Sequence, residues 1–277
     1  MGADSRISFD GSDPNDWGIK TYELGGACAM VASGDALPPL IAADLTRSIV
    51  ENHNRTSDEK LSFFNTVKLF SFFVRRVARG QDAACRIAAA GFLERGEPCI
   101  ANIVVSRKVN RTHFKKLGSE QTTAIPVGDP SAYPLLLGAM SRAKQQNRPA
   151  IATAFSMLYY ISKNAGVFKS VGGGLSFGGC KAPESNMSWP IIEIDGKRFL
   201  RGIDVTAAYR KNWPPPEKVP YDETWCAELD HEIASKPAPE LKKLGSLPGY
   251  DIDVAITEES LFSTADEPPM TMIGDEA

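Results

Sequence analysis

The segment from residue 56 to residue 80 carries the strongest structural signal in this sequence. Apolar side chains recur there every three or four residues, which is the spacing of one face of an α-helix: Leu61, Phe64, Val67, Phe70, Val74 and Val77. Thr56 and Glu59 have the spacing of a capping box, and Gly80 is a typical helix end. Three more rings widen the apolar face: Phe63, Phe72 and Phe73. We predict a buried core helix, with a subunit contact as the alternative use of the extra rings.

The rest of the chain changes from helical to alternating patterns near residue 166. Further helices are predicted over residues 40–51, 82–94, 135–146, 151–164 and 222–234, and a strand over 99–105. The turn Asp195-Gly196 lies between two alternating segments, which predicts a β-hairpin near 190–204. The predicted fold class is therefore α+β, with a helical N-terminal two-thirds packed with a small antiparallel sheet.

Composition excludes several classes of protein. The chain has 277 residues, of which 43% are hydrophobic and 23% charged, which is typical of a globular protein. Charged residues interrupt every long apolar run, so we expect no membrane span. Five cysteines at wide spacing and three scattered histidines predict free thiols, a reducing cytoplasmic location, no metal site and no cofactor.

Charge is divided unevenly along the chain. Residues 251–277 contain eight acidic residues and no Lys or Arg, while the whole chain has a net charge of −3, so residues 1–250 carry about +5. We predict a single domain over residues 1–250, helix-rich over 38–165 and strand-rich over 166–213. Residues 251–277 are predicted to form a flexible acidic tail that shields a basic surface or maintains solubility.

The basic residues form two groups that are candidates for binding phosphates. A short segment without acidic residues contains the first group, next to Phe114: Arg107, Lys108, Arg111, Lys115 and Lys116. The second group surrounds the predicted hairpin: Arg198, Arg201 and Arg210. Such groups bind single-stranded nucleic acid by releasing counterions, and a nearby ring can stack on a base. The alternative is a solvated surface without a ligand.

A glycine-rich loop at residues 172–181 is the second candidate site. Glycine lets a backbone approach a ligand closely, and the candidates for such an approach are Gly172, Gly173, Gly174, Gly178 and Gly179. The spacing does not fit a phosphate-binding P-loop, because Cys180 stands where lysine is required. Cys180 next to Lys181 could have a lowered pKa, yet no histidine stands in a recognisable relation to it. We therefore predict no catalytic residue.

These observations favour a self-assembling structural protein, such as a viral or phage coat or nucleocapsid component, present in the cytoplasm or the virion. Its predicted partners are further copies of itself and single-stranded nucleic acid. Two alternatives remain open: an RNA-binding subunit of a ribonucleoprotein complex, and an enzyme of unfamiliar fold that uses the loop at 172–181. The absence of a recognisable catalytic constellation makes an enzyme the less favoured interpretation.

Overall fold

The protein is described from a computed structural model. The structure describes residues 2–4, 20–81, 83–93, 95–106, 110–117, 127–128, 132–164, 175–180, 187–235 and 253–254. These residues form five helices: α1 (Leu37–Thr56), α2 (Phe63–Gln81), α3 (Tyr133–Gln145), α4 (Ala150–Lys163) and α5 (Glu223–Ala234). They also form twelve strands: β1 (Gly2–Asp4), β2 (Thr21–Gly25), β3 (Cys28–Gly34), β4 (Cys85–Phe92), β5 (Pro98–Val105), β6 (Asn110–Lys116), β7 (Leu175–Phe177), β8 (Ile192–Ile194), β9 (Lys197–Leu200), β10 (Ile203–Asp204), β11 (Glu217–Lys218) and β12 (Asp253–Val254).

The chain divides into two compact units. The first comprises residues 1–22, 122–179 and 187–247, and the second comprises residues 23–121, 180–186 and 248–277. The prediction of a single domain followed by a tail from residue 251 stays a prediction.

A six-stranded sheet, with strand order β12-β6-β5-β4-β3-β2, forms the centre of the second unit. The central pairs β3–β4, β4–β5 and β5–β6 are antiparallel. Phe63 and Phe64 of α2 contact Phe114 of β6, with ring centroids 6.2 and 4.7 Å apart. A Cβ at Gly91 of β4 would overlap the Phe63 ring, so the small residue there lets α2 approach the sheet closely.

The first unit combines three helices with two smaller sheets. One sheet has the order β10-β9-β8-β11, in which β11 runs parallel to β8, and the other consists of the antiparallel pair β1–β7. Buried residues of α3, α4 and α5 pack into one apolar cluster that includes Met157, Trp225 and Leu229. Asp222 caps α5 by accepting a hydrogen bond of 2.9 Å from the backbone N–H of Trp225.

The mixed helix and sheet content agrees with the predicted class, but the predicted arrangement is wrong in two respects. The sheets are larger than a single hairpin, and the six-stranded sheet is built largely from the part of the chain that was predicted to be helical. The predicted helix over 82–94 is strand β4. Its alanines favour a helix locally, but both neighbouring strands pair with this segment along its length, and long-range pairing overrides the local preference.

Two local predictions meet different outcomes. The hairpin near 190–204 is confirmed, because β8 pairs with β9 across Asp195 and Gly196, which both have positive φ angles of 51° and 74°. The predicted capping box at Thr56 is wrong, because Thr56 is the last residue of α1 and its hydroxyl donates to the Asn52 carbonyl oxygen.

In the acidic segment, residues 253–254 form β12 and pair with β6. The rest of the predicted flexible tail lies outside the described residues.

Candidate interaction surface

Helix α1 exposes its large apolar side chains and buries its small ones. Leu37, Leu40, Leu45 and Ile49 are each between 41% and 49% exposed. The buried residues of the same helix are mostly small: Pro38, Pro39, Ala42, Ala43, Thr46 and Val50. Helices normally bury their largest apolar side chains, because the transfer free energy increases with the apolar area that is removed from water. The outer face of α1 is therefore a candidate interaction surface.

The geometry of α1 arranges these side chains as a stripe. Leu37, Ile41, Leu45 and Ile49 follow one another at intervals of four residues, which places them along one side of a helix. Ile41 is half-buried and lies between Leu37 and Leu45 in this series. The stripe is bordered by an exposed ion pair in which the Arg47 Nε atom lies 2.6 Å from Glu51 Oε1. We call the four apolar residues the α1 stripe.

The described part of the first predicted basic group belongs to the six-stranded sheet. Arg107 and Lys108 lie outside the described residues, and the other three residues lie on strand β6. Arg111 is exposed and Lys115 is half-buried, while Lys116 forms an ion pair with Glu97. The predicted stacking ring, Phe114, is buried against α2 and is not available to a base.

The three arginines of the second basic group have different environments. Arg198 donates from Nε to Glu193 Oε2 at 2.8 Å, and its guanidinium lies 4.4 Å from the ring centroid of Tyr209. Arg210 has an exposed side chain. Arg201 donates from Nη2 to the backbone carbonyl oxygen of Thr21 at 2.7 Å. Only Arg198 of these three has an ion pair with a carboxylate among the described residues.

The surroundings of Arg201 include residues that the sequence did not nominate. The hydroxyls of Thr21 and Ser176 are buried and lie 2.7 Å apart, so one of them donates a hydrogen bond to the other. The guanidinium carbon of Arg201 lies 5.1 Å from the ring centroid of Trp189. Thr21 and Arg201 are separated by 180 positions, and no local pattern in the sequence indicates such a distant contact.

The described part of the glycine-rich loop has a packing role at one position. A Cβ at Gly178 would overlap the six-membered ring of Trp189, so glycine is required for that ring to lie on the backbone. Gly179 forms an isolated bridge with Ser188 and has open space around its Cα. Gly172, Gly173 and Gly174 lie outside the described residues.

The cysteines and the titratable clusters show no catalytic arrangement in the described parts of the chain. All five cysteines are free thiols, and burial raises the pKa of the Cys180 thiol above its usual value. A raised pKa reduces the thiolate fraction on which a nucleophilic cysteine depends. No group of three potential metal ligands occurs among the described residues. None of the described helices is long and apolar enough to cross a membrane.

A cluster around Lys163 connects three elements of the first unit. The Lys163 Nζ atom lies 3.5 Å from Asp195 Oδ2 and 3.5 Å from Glu223 Oε2. It also lies near two aromatic rings, 5.3 Å from the Tyr159 centroid and 5.1 Å from the Tyr221 centroid. Burial raises the pKa of both tyrosines, so both phenols stay neutral at physiological pH. The ammonium is already surrounded by groups of this chain, which is the arrangement of a structural contact between α4, the β8–β9 turn and α5.

Comparison with known proteins finds likenesses among solved structures. No family model matches the chain, and no curated protein matches it. A solved structure titled as Anbu from Hyphomicrobium sp. strain MC1 is similar over 91% of this chain and 94% of that chain, with 11% sequence identity and a TM-score of 0.40. A likeness at this level carries no argument about what this chain binds or catalyses.

The expectation of a coat or nucleocapsid protein, or of an RNA-binding subunit, is wrong. The residues that carried the expectation have other roles, because Phe114 is part of the core and Lys116 and Arg198 are paired with carboxylates.

Proposed function

We propose that this chain is a subunit of a homo-oligomer in which the α1 stripe contacts the α1 stripe of a second copy. The observation that carries the proposal is the inverted arrangement of α1, with leucine and isoleucine on the outer face and alanine on the inner face. Exposed apolar patches on a soluble protein commonly mark protein–protein contacts. A buried interface would remove these side chains from water.

The spacing of the stripe favours a second copy over an unrelated partner. Two α1 helices related by a two-fold axis near residue 43 would run antiparallel and place Leu37 opposite Ile49 and Ile41 opposite Leu45. An isologous interface requires such self-complementarity, because each residue meets its counterpart across the axis. Each apolar residue of the stripe then has an apolar partner.

The charges of α1 also permit self-association. The helix carries two acidic and two basic residues, Asp44, Glu51, Arg47 and Arg55, so its formal charge is balanced. Two copies therefore approach without net repulsion between these helices, and each acidic side chain has a basic one nearby. Two helices that carried charges of only one sign would repel each other in the same contact.

The test compares two variants that each add one negative charge to an exposed helix position. Leu45→Glu places the charge in the stripe, and Ser141→Glu places it on α3 as the matched control. A two-fold interface contains the substitution twice, so at about 2 kcal/mol for each copy the dissociation constant should increase roughly a thousandfold. Size-exclusion chromatography with light scattering over a range of protein concentrations measures the change.

The two variants make the result easy to interpret. Oligomers should form in the wild type and in Ser141→Glu, and Leu45→Glu should be monomeric at the same concentrations with an unchanged circular dichroism spectrum. A wild-type chain that remains monomeric at high concentration contradicts the proposal. So does a Leu45→Glu chain that retains the wild-type mass.

We also propose a reducing, cytoplasmic location. All five thiols are free, and Cys28, Cys85, Cys99 and Cys226 are buried as small apolar residues. Disulfides would be the common use of several cysteines in an oxidising compartment. Alkylation of thiols in rapidly quenched cells, followed by mass spectrometry, should find all five reduced, and an oxidised pair would overturn this location.

A further inference from the structure

Arg201 lacks acceptors that a half-buried guanidinium requires. Its Nη2 atom donates to the carbonyl oxygen of Thr21, but its Nε–H is buried and has no acceptor among the described residues. None of the described carboxylates forms an ion pair with it either. Removing a charged donor from water without an acceptor is energetically unfavourable. A stable protein normally supplies the missing acceptor, from its own chain, from water or from a ligand.

The segment that accepts the Arg201 hydrogen bond also carries the hydroxyls of Thr21 and Tyr22, and the Thr21 hydroxyl is bonded to that of Ser176. The Thr21 and Ser176 hydroxyls form one hydrogen bond with each other and together carry two hydrogens, so one hydrogen remains to be donated. Burial raises the pKa of the Tyr22 phenol, while the Arg201 charge acts in the opposite direction. Because burial prevails, Tyr22 keeps its O–H and is not a counter-ion to the guanidinium at neutral pH.

Arg201 has an uncommon backbone conformation. Arg201 and Gly202 have φ angles of 50° and 88°, and they form the tight turn between β9 and β10. The left-handed region is uncommon for a residue with a side chain, and residues held in it are found often at binding sites. The guanidinium carbon lies 5.1 Å from the ring centroid of Trp189, and the same ring packs on Gly178. The ring contact and the bond to Thr21 restrict where the guanidinium lies.

We propose that Arg201 binds a small oxyanion group, a carboxylate or a phosphate, through the Nε–H that has no acceptor in the part of the chain that the structure describes. An oxygen of the ligand accepts the hydrogen of Nε, and the ligand charge neutralises the guanidinium. Arginine suits this role because its planar donors match the oxygens of both groups. The site lies within the first unit and is independent of the proposed contact at the α1 stripe.

The contrast with Arg198 provides the matched control. Both arginines belong to the same hairpin region and both lie over an aromatic ring, but Arg198 is neutralised by Glu193 at 2.8 Å. Arg198→Gln removes one positive charge, as Arg201→Gln does, but it leaves the proposed anion site at Arg201 intact. Arg201→Gln and Arg201→Lys test the site itself, and the lysine variant keeps the charge but loses the planar donors.

The experiment uses the full chain and two probes, sodium acetate and inorganic phosphate, with ionic strength held constant by sodium chloride. Isothermal titration calorimetry measures affinity, and thermal unfolding measures the stabilisation that binding produces. We expect at least one of the two probes to bind the wild type, and to bind Arg198→Gln with the same affinity as the wild type. Loss of a charge-assisted hydrogen bond should weaken binding about tenfold or more in Arg201→Gln. Arg201→Lys should be intermediate.

The two probes and three variants separate the outcomes. Acetate binding alone assigns a carboxylate ligand, and phosphate binding alone assigns a phosphate ligand. If neither probe binds the wild type, or if Arg201→Gln and Arg201→Lys bind as tightly as Arg198→Gln, the proposal is overturned. Should Arg201→Gln fail to fold, the lysine variant still decides the result, because it retains the charge and the side-chain length.

Discussion

Helices α1 and α2 lie side by side against the six-stranded sheet, yet they use their apolar residues in opposite ways. Helix α2 buries its largest side chains, including Phe63, Phe64 and Phe70, and exposes Arg76 and Arg79. Helix α1 buries alanine and proline and leaves the α1 stripe on its outer face. Both helices belong to the same unit and have almost the same length. The difference indicates that α2 stabilises the fold of the chain, whereas the outer face of α1 is suited to the contact that we propose.

The largest expected effect is at the inner face of α2. Phe70 is fully buried, so Phe70→Ala removes a large apolar side chain and leaves a cavity, which should lower the free energy of unfolding by about 3–5 kcal/mol. Phe72→Ala on the same helix is the control, because Phe72 is only half-buried. Urea denaturation measures both. An equal loss of unfolding free energy in the two variants would contradict the view that α2 stabilises the fold mainly through its buried face.

A smaller loss is expected when the inner face of α1 is enlarged. Ala43 is 3% exposed, and Ala43→Leu would force three additional carbon atoms into a closely packed space, which typically lowers stability by about 1–3 kcal/mol. Leu40→Ala makes the reverse change on the outer face and should alter monomer stability much less. Thermal unfolding of dilute samples compares the two. If Ala43→Leu unfolds at the wild-type temperature, the close packing of the inner face is contradicted.

How far the sequence predicts this fold depends on how local each signal is. Helix α2 and the β8–β9 hairpin follow from apolar spacing and from one Asp-Gly turn, and the structure contains both. The alanine-rich segment at 82–94 resembles a helix by local preference, and only its pairing with β3 and β5 makes it a strand. The predicted capping box at Thr56 is wrong for a different reason, because that residue ends α1 instead of beginning α2.

The candidate sites were less predictable than the fold. The apolar residues of α1 are visible in the sequence, but periodicity alone does not reveal which face the rest of the chain covers. The sequence singles out Arg201 by its charge, whereas its buried Nε and its bond to the carbonyl oxygen of the distant Thr21 depend on the fold. Burial and pairing of this kind appear only when the fold brings distant segments together.

Thr46 offers a gain in stability on the inner face of α1. This residue is fully buried, and its hydroxyl has no hydrogen-bond partner among the residues that the structure describes. Thr46→Val replaces the hydroxyl by a methyl group of similar size, which should raise the free energy of unfolding by about 1 kcal/mol. Chemical denaturation measures the change. A loss of similar size would mean that the hydroxyl has an acceptor and that this face is less apolar than described.

Lys68 is a charged residue on the buried face of α2, and its contribution to the free energy of unfolding should depend on pH. It is 9% exposed with Nζ 4.3 Å from the Phe64 ring centroid, and burial lowers its pKa below the usual 10.5. The unfolded chain therefore binds more protons than the folded chain between the lowered pKa and 10.5, so stability rises with pH in that window. Lys68→Met removes this dependence.

The measurement for Lys68 is the difference in unfolding free energy between the wild type and Lys68→Met at several pH values. At neutral pH the charged ammonium is disfavoured in the folded chain, and the variant should have its largest advantage there. The advantage should shrink as the pH approaches 10.5. A difference that stays constant, or grows, with pH would show that burial does not govern this lysine.

The smallest expected change in monomer stability is at the outer face of α1, where Leu45→Gln should alter the free energy of unfolding by no more than about 0.5 kcal/mol. Leu45 is 41% exposed in the subunit, so the monomer loses little apolar burial when its side chain becomes polar. The same substitution should weaken self-association, because the lost contact is made only between copies. Unfolding measured below the association concentration separates the two effects. A loss of monomer stability close to that of Phe70→Ala would place Leu45 in the core of the subunit and would remove the contrast between α1 and α2 on which the proposed contact depends.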